Sequence, residues 1–257
     1  MKKRGSEIMS VLKEKACIMA FKRVYEVLEK VEKTQMDNIM KAADVITKTI
    51  MNGRWVYTFG TGHSASVALE PYFRAGSLFT IDSLVDHALT PISGIATPAE
   101  RLEGFASILL DHRKVSKGDT VIIVSNSGRN STIVECAIEA KKRGLNVIAI
   151  TALAHSKAVT PQHPSGKRLF ELSDIVIDNC SIFGDCSLDV GAPSKVVPTA
   201  VQVGCTIMHA IVAQVVQNLV ESGVEPPVPW SANIPGADEH NKKFLEKYLH
   251  SKTYAPY

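Results

Sequence analysis

A three-layer α/β/α sandwich built on a five-stranded parallel sheet is the architecture this sequence predicts. Short Val- and Ile-rich runs alternate with stretches of helical periodicity, the order of a parallel sheet with crossover helices. The strongest runs, "DTVIIVS" (119–125) and "NVIAIT" (146–151), are apolar throughout, as strands covered on both faces are. A chain of 257 residues can bury such a core as one domain.

From about Phe21 to Met51, apolar residues recur as Val24, Leu28, Val31, Ile39, Ala43, Ile46 and Ile50. That three-four spacing predicts one or two amphipathic helices, ended by Asn52-Gly53. "WVYTF" (55–59) reads as the first strand, residues from Ser64 to about Ala75 as a helix, and "SLFTI" (77–81) as the second strand. Pro71 inside that helix removes a hydrogen bond and predicts a kink just after Glu70. Residues 84–99, with two prolines, a glycine and no period, predict a long loop of the functional kind. Helical spacing resumes at 99–113, ahead of the third strand at 119–125.

"STIVECAIEAKKRG" follows as a helix, with Thr132 and Glu135 at capping-box spacing and Gly144 as its stop. The fourth strand is 146–151 and the fifth "DIVID" (174–178); a last strong helix spans about 195–222. We expect a single domain, with a helical extension at about 9–52, a core at about 53–222 and a tail at 223–257.

Composition excludes several classes. The hydrophobic fraction is 45%, the charged fraction 21% and the net charge +3, too small a field to argue for nucleic acid or a membrane surface. No continuous apolar run approaches the roughly 18 residues of a membrane span. The basic N-terminus is interrupted by Lys13, Glu14 and Lys15, which argues against a signal peptide; Met9 offers an alternative start. Five scattered cysteines without a CxxC pair fit reduced thiols in the cytoplasm better than disulfides or a zinc site.

Two turns carry the functional signal. "GTGHS" (60–64) leaves the first strand and "SNSGRNST" (125–132) leaves the third. In the doubly wound order 2-1-3-4-5 these strands are neighbours at the switch point, where such sheets bind ligands. Glycines let backbone N–H groups approach an anion, and a helix N-terminus favours it. The hydroxyls suit phosphate oxygens. Neither turn holds a lysine and GxGxxG is absent, so the pattern is one phosphate gripped by hydroxyls and amides. The residues expected to bind are Thr61, Gly62, His63 and Ser64 in the first turn, and Ser125, Asn126, Ser127, Arg129 and Asn130 in the second.

"GTGHS" and "SNSGRN" resemble the signature turns of the sugar isomerase (SIS) domain family over roughly residues 21–222. "SGKRLFELSDIVIDN" and "SANIPGADEHN" are similar to its stand-alone, phosphoheptose-isomerase-like members. The resemblance implies a flavodoxin-like sandwich, a homodimer or homotetramer, and a phosphate held by Ser64, Ser125, Ser127 and Asn130. Phosphoheptose isomerases usually carry a histidine six residues past the serine and a glutamate four later; here those places are Glu70 and Arg74. Some of them hold zinc through a ligand set this chain does not reproduce, so we expect no metal and no cofactor.

Aldose–ketose isomerisation needs groups that move protons between two carbons and their oxygens. His63, Glu70, His87 and Glu100 lie near the turns; His209, Glu239 and His240 lie farther along. Glu70 and Arg74 share one helix face and can pair. His209 lies in an apolar helix, where the residues alone leave it open between a core histidine and an acid–base group; the resemblance implies the latter. The polar stretch "PWSANIPGADEHN" (229–241) suggests a tail that folds over the active site of its own or a neighbouring subunit. The catalytic residues expected are therefore Glu70, His209 and His240. The expected partner is a small sugar phosphate, with isomerisation as the reaction and a lyase, a deaminase or a non-catalytic sensor as alternatives. The residues before the first strand lack the helix-turn-helix layout of a DNA reader.

Overall fold

Why the five runs form one sheet is visible in where their side chains go. In the computed structural model, which describes residues 14–249, β1 (Val56–Gly60), β3 (Thr120–Val124) and β4 (Asn146–Thr151) alternate between two apolar layers. Val56, Ile122, Val124, Ile148 and Ile150 face one layer, while Tyr57, Phe59, Val121, Ile123, Val147 and Ala149 face the other. With β2 (Ile81–Ser83) and β5 (Ile175–Asp178) the order is β2-β1-β3-β4-β5, every pair parallel. The order anticipated from the sequence is the observed one. The alternative start at Met9, the basic N-terminus and the last eight residues of the tail lie outside the described residues.

The first layer holds α1 (Ala16–Met51), α2 (Ser64–Leu69) and α7 (Ala200–Glu221). The N-terminal periodicity produces one helix of 36 residues. Its stripe of Ile39, Ala42, Ala43, Ile46 and Ile50 is buried against Val203, Ile207, Met208, Ile211, Val215 and Leu219 of α7. Helix α7 is long and apolar enough to cross a bilayer by length and composition, but these side chains are in the core. The second layer holds α4 (Phe105–His112) and α5 (Ser131–Lys142), preceded by the short α3 (Ala96–Ala99). The loop after β2 carries two 3₁₀ turns at His87–Leu89 and Pro91–Ser93. A short α6 (Leu153–Ala158) follows β4.

Several local expectations are corrected. Helix α2 stops at Leu69 instead of kinking and continuing: Glu70 is its last cap, and Pro71 cannot extend the ladder. The second strand begins at Ile81, not Ser77. Residues 76–79 bond instead to the chain after α7, with Gly76 donating to the Pro229 carbonyl and Phe79 to that of Pro227. Thr132 and Glu135 form no capping box. The Glu135 carboxylate accepts from the N–H groups of Gly104 (2.7 Å) and Ala106 (3.1 Å) and so caps α4, while Thr132 donates to the carbonyls of Ala99 and Leu102. The last core helix starts at Ala200, because residues before it form an antiparallel ribbon of β6 (Cys186–Leu188) and β7 (Val196–Pro198).

Helix α8 (Ala237–Leu249) takes the tail to the amino ends of the strands. Phe244 stacks on Phe79 and Tyr248 meets Trp55 edge-on, just before β2 and β1. Among the described residues of its own chain, the tail does not fold over the two turns.

Candidate functional site

The register of β1 with β3 places Gly60 beside Val124, so the two turns leave the sheet side by side. Gly60 is required there by contact. A Cβ at this position would lie 2.6 Å from the Ser64 carbonyl oxygen and 2.8 Å from its carbon. The first turn then coils directly into α2. Two of its amides are engaged: Gly62 donates to the Leu89 carbonyl (2.8 Å) and Ser64 to that of Thr61 (3.1 Å). The Gly62 N–H, expected to meet a ligand, is thus tied to the loop after β2. Thr61 is buried and donates through Oγ1 to Glu100 Oε2 at 2.8 Å. His63 is exposed and Ser64 half-buried.

The second turn is built differently. The buried Ser125 hydroxyl accepts from the Gly128 N–H at 3.1 Å and closes the loop. Gly128 has φ +58°, and a Cβ there would press on Leu169 and Ser156 at 3.1 Å. Among the described residues, the N–H groups of Asn126, Ser127, Arg129 and Asn130 make no hydrogen bond, nor do the side chains of Ser64, Ser127, Arg129 and Asn130. Unengaged donors at the start of the 12-residue α5 are the arrangement that binds an anion. Asn126 differs from its neighbours: its Oδ1 accepts from Asn179 Nδ2 at 2.7 Å.

Arg129 extends toward α6. Burial lowers the His155 pKa first, the Arg129 guanidinium lowers it further, and Asp185 opposes both.

The expected proton-transfer residues separate. Glu70, at the end of α2, and His209, on α7, come together across 139 residues of sequence: Nε2 lies 2.9 Å from Oε1. Arg74 pairs with the same Oε1, as its spacing predicts. The pair is open to solvent within the chain, with His209 43% and Glu70 29% exposed. His240 does not join it. Its Nε2 faces the Val228 carbonyl at 2.9 Å and its ring stacks on Trp230 at 4.2 Å, because the aromatic side chains of α8 carry it to the amino end of the sheet.

Sequence reasoning missed Cys205. It precedes His209 by one helical turn, and burial raises its thiol pKa first, with the Glu70 carboxylate adding to the rise and Arg74 opposing it. Its i,i+4 spacing from His209 was a readable signal. Asn179 was missed too, and nothing in its sequence neighbourhood announces its bond to Asn126. Among the described residues no group of three or more His, Cys, Asp or Glu side chains is arranged to hold a metal ion. A cavity of about 740 Å³, lined by Trp55, Asp82, Arg113 and Tyr248, opens at the amino ends of the strands, away from the turns.

The SIS domain model matches residues 21–152. A UPF0309 protein of Shouchella clausii is 41% identical over 219 residues, covering 83% of this chain and 89% of that protein. One from Geobacillus thermodenitrificans is 39% identical over 233 residues, covering 89% and 93%. Among solved structures, a phosphoheptose isomerase from Francisella tularensis superposes with a TM-score of 0.54 at 18% identity, covering 77% of this chain and 94% of that one. The Vibrio vulnificus NanR protein complexed with ManNAc-6P gives a TM-score of 0.54 at 14% identity, covering 94% and 71%. At such identities these two structures speak for the fold. The chain belongs to the SIS domain family, among its UPF0309 proteins.

Proposed function

We propose that the chain is a cytoplasmic aldose–ketose isomerase of a sugar phosphate, working as a homodimer or homotetramer without a metal or cofactor. The observation that carries this reading is the Glu70–His209 pair at 2.9 Å, in a fold that also presents a turn of unengaged hydroxyls and amides. Ser64, Ser125, Ser127 and Asn130 would grip the phosphate. The Glu70 carboxylate would take the proton from C2 of the aldose while His209 protonates the C1 oxygen. Glu70 would then return its proton to C1 of the resulting enediol while the C2 hydroxyl gives its proton to His209, giving the ketose and restoring both groups. Arg74 holds the Glu70 oxygen that His209 meets. The openness of the pair supports a site that a second subunit covers, and His240 would serve it only from such a subunit.

Proton NMR in D₂O with pentose, hexose, heptose and amino-sugar phosphates tests this. One sugar should gain deuterium at C2 and interconvert with its isomer. Glu70→Gln should slow that exchange about 10²- to 10⁴-fold, and Ser127→Ala should weaken saturation by the sugar. Elimination or ammonia release would move the chemistry to a lyase or deaminase.

The resemblance in fold to NanR, a protein described in complex with ManNAc-6P, supports a second reading, a phosphosugar sensor. Saturable binding of a sugar phosphate with no exchange would favour it.

A further inference from the structure

The second turn and the helix that carries His209 are joined by a line of polar groups, half-buried at its two ends, Asn126 and Asp185, and buried between them. Asn179, 1% exposed and just past β5, donates through Nδ2 to Asn126 Oδ1 at 2.7 Å and accepts from the Ser181 N–H at 3.0 Å. The Ser181 hydroxyl, 1% exposed, meets the Thr199 hydroxyl, fully buried, at 3.2 Å. Thr199 Oγ1 in turn donates to Asp185 Oδ1 at 3.3 Å. The same carboxylate oxygen accepts from the N–H groups of Thr199 and Ala200 at 2.9 Å and so caps α7. Since Thr199 donates to the carboxylate, the proton between the two hydroxyls comes from Ser181.

Two features show that the chain conforms to this line. Cys180, between Asn179 and Ser181, has φ +57°, and Asp185 has φ +65°, in the left-handed region that costs a residue with a side chain about 1 kcal/mol or more. Neither is glycine, so surrounding contacts must hold them. Asp178 supplies some, accepting from the N–H groups of Cys180 and Leu153.

We propose that Asn179 is a positioning residue that couples the phosphate turn to helix α7, so that an anion seated on Ser125 and Ser127 and the histidine aimed at Glu70 are held in one register. This rests on the phosphate reading of the second turn. The line reaches α7 at Thr199, ten residues before His209, or about 15 Å along the helix. A shift of the α7 N-terminus is therefore delivered to His209 as a movement of the whole rod. A network of buried hydrogen bonds transmits such a shift because each member loses its partner if the next one moves.

The probe is inorganic phosphate, titrated by amide NMR on the full chain, with Ser125 and Ser127 reporting the turn and the His209 ring reporting the pair. Asn179→Leu should weaken phosphate binding about tenfold or more, the range expected when buried partners are left unpaired. Thr199→Val, which touches neither the turn nor the anion, should weaken it severalfold, and Thr199→Ser should restore it. The double variant should weaken it less than the product of the two. Thr49→Val breaks an equally buried hydroxyl pair with Thr120 (2.7 Å) at the other end of the sheet and should leave phosphate binding unchanged.

Wild-type binding together with unaltered affinity in Asn179→Leu and Thr199→Val overturns the coupling and leaves the phosphate reading intact. Equal weakening in Thr49→Val would assign the effect to general loss of stability and also overturn it. If the wild type gives no saturable shift at Ser125 and Ser127, the phosphate reading falls and the coupling falls with it. A folded Thr199→Val keeps the test decisive should Asn179→Leu not fold.

Discussion

Gly60→Ala is the smallest change that should disable the first turn. The added methyl would sit 2.6 Å from the Ser64 carbonyl oxygen, whereas ordinary contact begins at 3.4 Å. The turn must therefore retreat by about 0.8 Å, and the neighbour is backbone, so no side-chain rotation relieves it. Overpacking of this kind costs about 1–3 kcal/mol. Alanine is otherwise acceptable there, because Gly60 is not among the residues with positive φ. Reduced entropy of the unfolded chain returns roughly 0.4–1 kcal/mol.

A net loss of about 1–2 kcal/mol corresponds to a fall in Tm of about 2–8 °C for a chain of this size. The same retreat moves the Ser64 hydroxyl out of hydrogen-bond range of a seated phosphate, so binding should weaken about tenfold. The paired assay is calorimetric unfolding and phosphate titration of Gly60→Ala beside Gly204→Ala. In the latter the nearest atoms to the added methyl are side-chain atoms of Val67, its two methyl groups at 3.0 Å, and alanine gains about 1 kcal/mol of helix propensity. We expect Gly204→Ala to be near neutral in both measurements. A Gly60→Ala protein with unchanged Tm and unchanged phosphate affinity would refute the argument from backbone contact.

Two further predictions concern titrating groups. Burial raises the Asp119 pKa, against the N–H donors of Trp55 and Ser116 and the Arg54 charge, which lower it. The folded state thus binds this proton more tightly than the unfolded one, and the Asp119 contribution falls as pH rises from the ordinary carboxylate value through the raised one. Asp119→Asn removes that slope, so in urea titrations the stability gap between wild type and variant should narrow as pH rises from the ordinary carboxylate value; a gap that widens would reverse the assignment. Among the thiols, burial pushes Cys136 far up, with Glu135 adding to the rise, while Cys17 is exposed. Alkylation followed by mass spectrometry at pH 8 should label Cys17 promptly and Cys136 only after unfolding; rapid native labelling of Cys136 would contradict its burial.

The sheet was legible because each strand is itself an apolar run and strand order follows from how such runs connect. Both turns were legible for the same reason: glycine and hydroxyl residues at a strand end restrict what the backbone can do there. Glu70 and His209 could each be named, but their meeting depends on α2 and α7 packing on one face, which no local pattern encodes. His240 stands apart from the pair in its own chain because Trp230 and Phe244 decide where it goes through aromatic stacking, which the dense polar stretch around it does not reveal. Glu135 misled as a cap. Its spacing from Thr132 suits a cap on its own helix, yet the unsatisfied N–H groups of α4 lay closer to its carboxylate. Asn179 sits in a segment whose ribbon and left-handed residues arise from non-local bonds, so its importance becomes visible only in the folded chain.

The union of α1 with α7 has a consequence for how the molecule is made. As the ribosome extends the chain, the α1 stripe of Ile39, Ala43, Ile46 and Ile50 emerges long before Ile207, Ile211, Val215 and Leu219, which cover it in the finished fold. At about 5–20 residues per second, that greasy surface waits on the order of ten seconds or more for its cover. Nascent chains of this protein should therefore engage holding chaperones through α1 until translation passes α7, and a stalled or truncated transcript lacking α7 should yield an insoluble product.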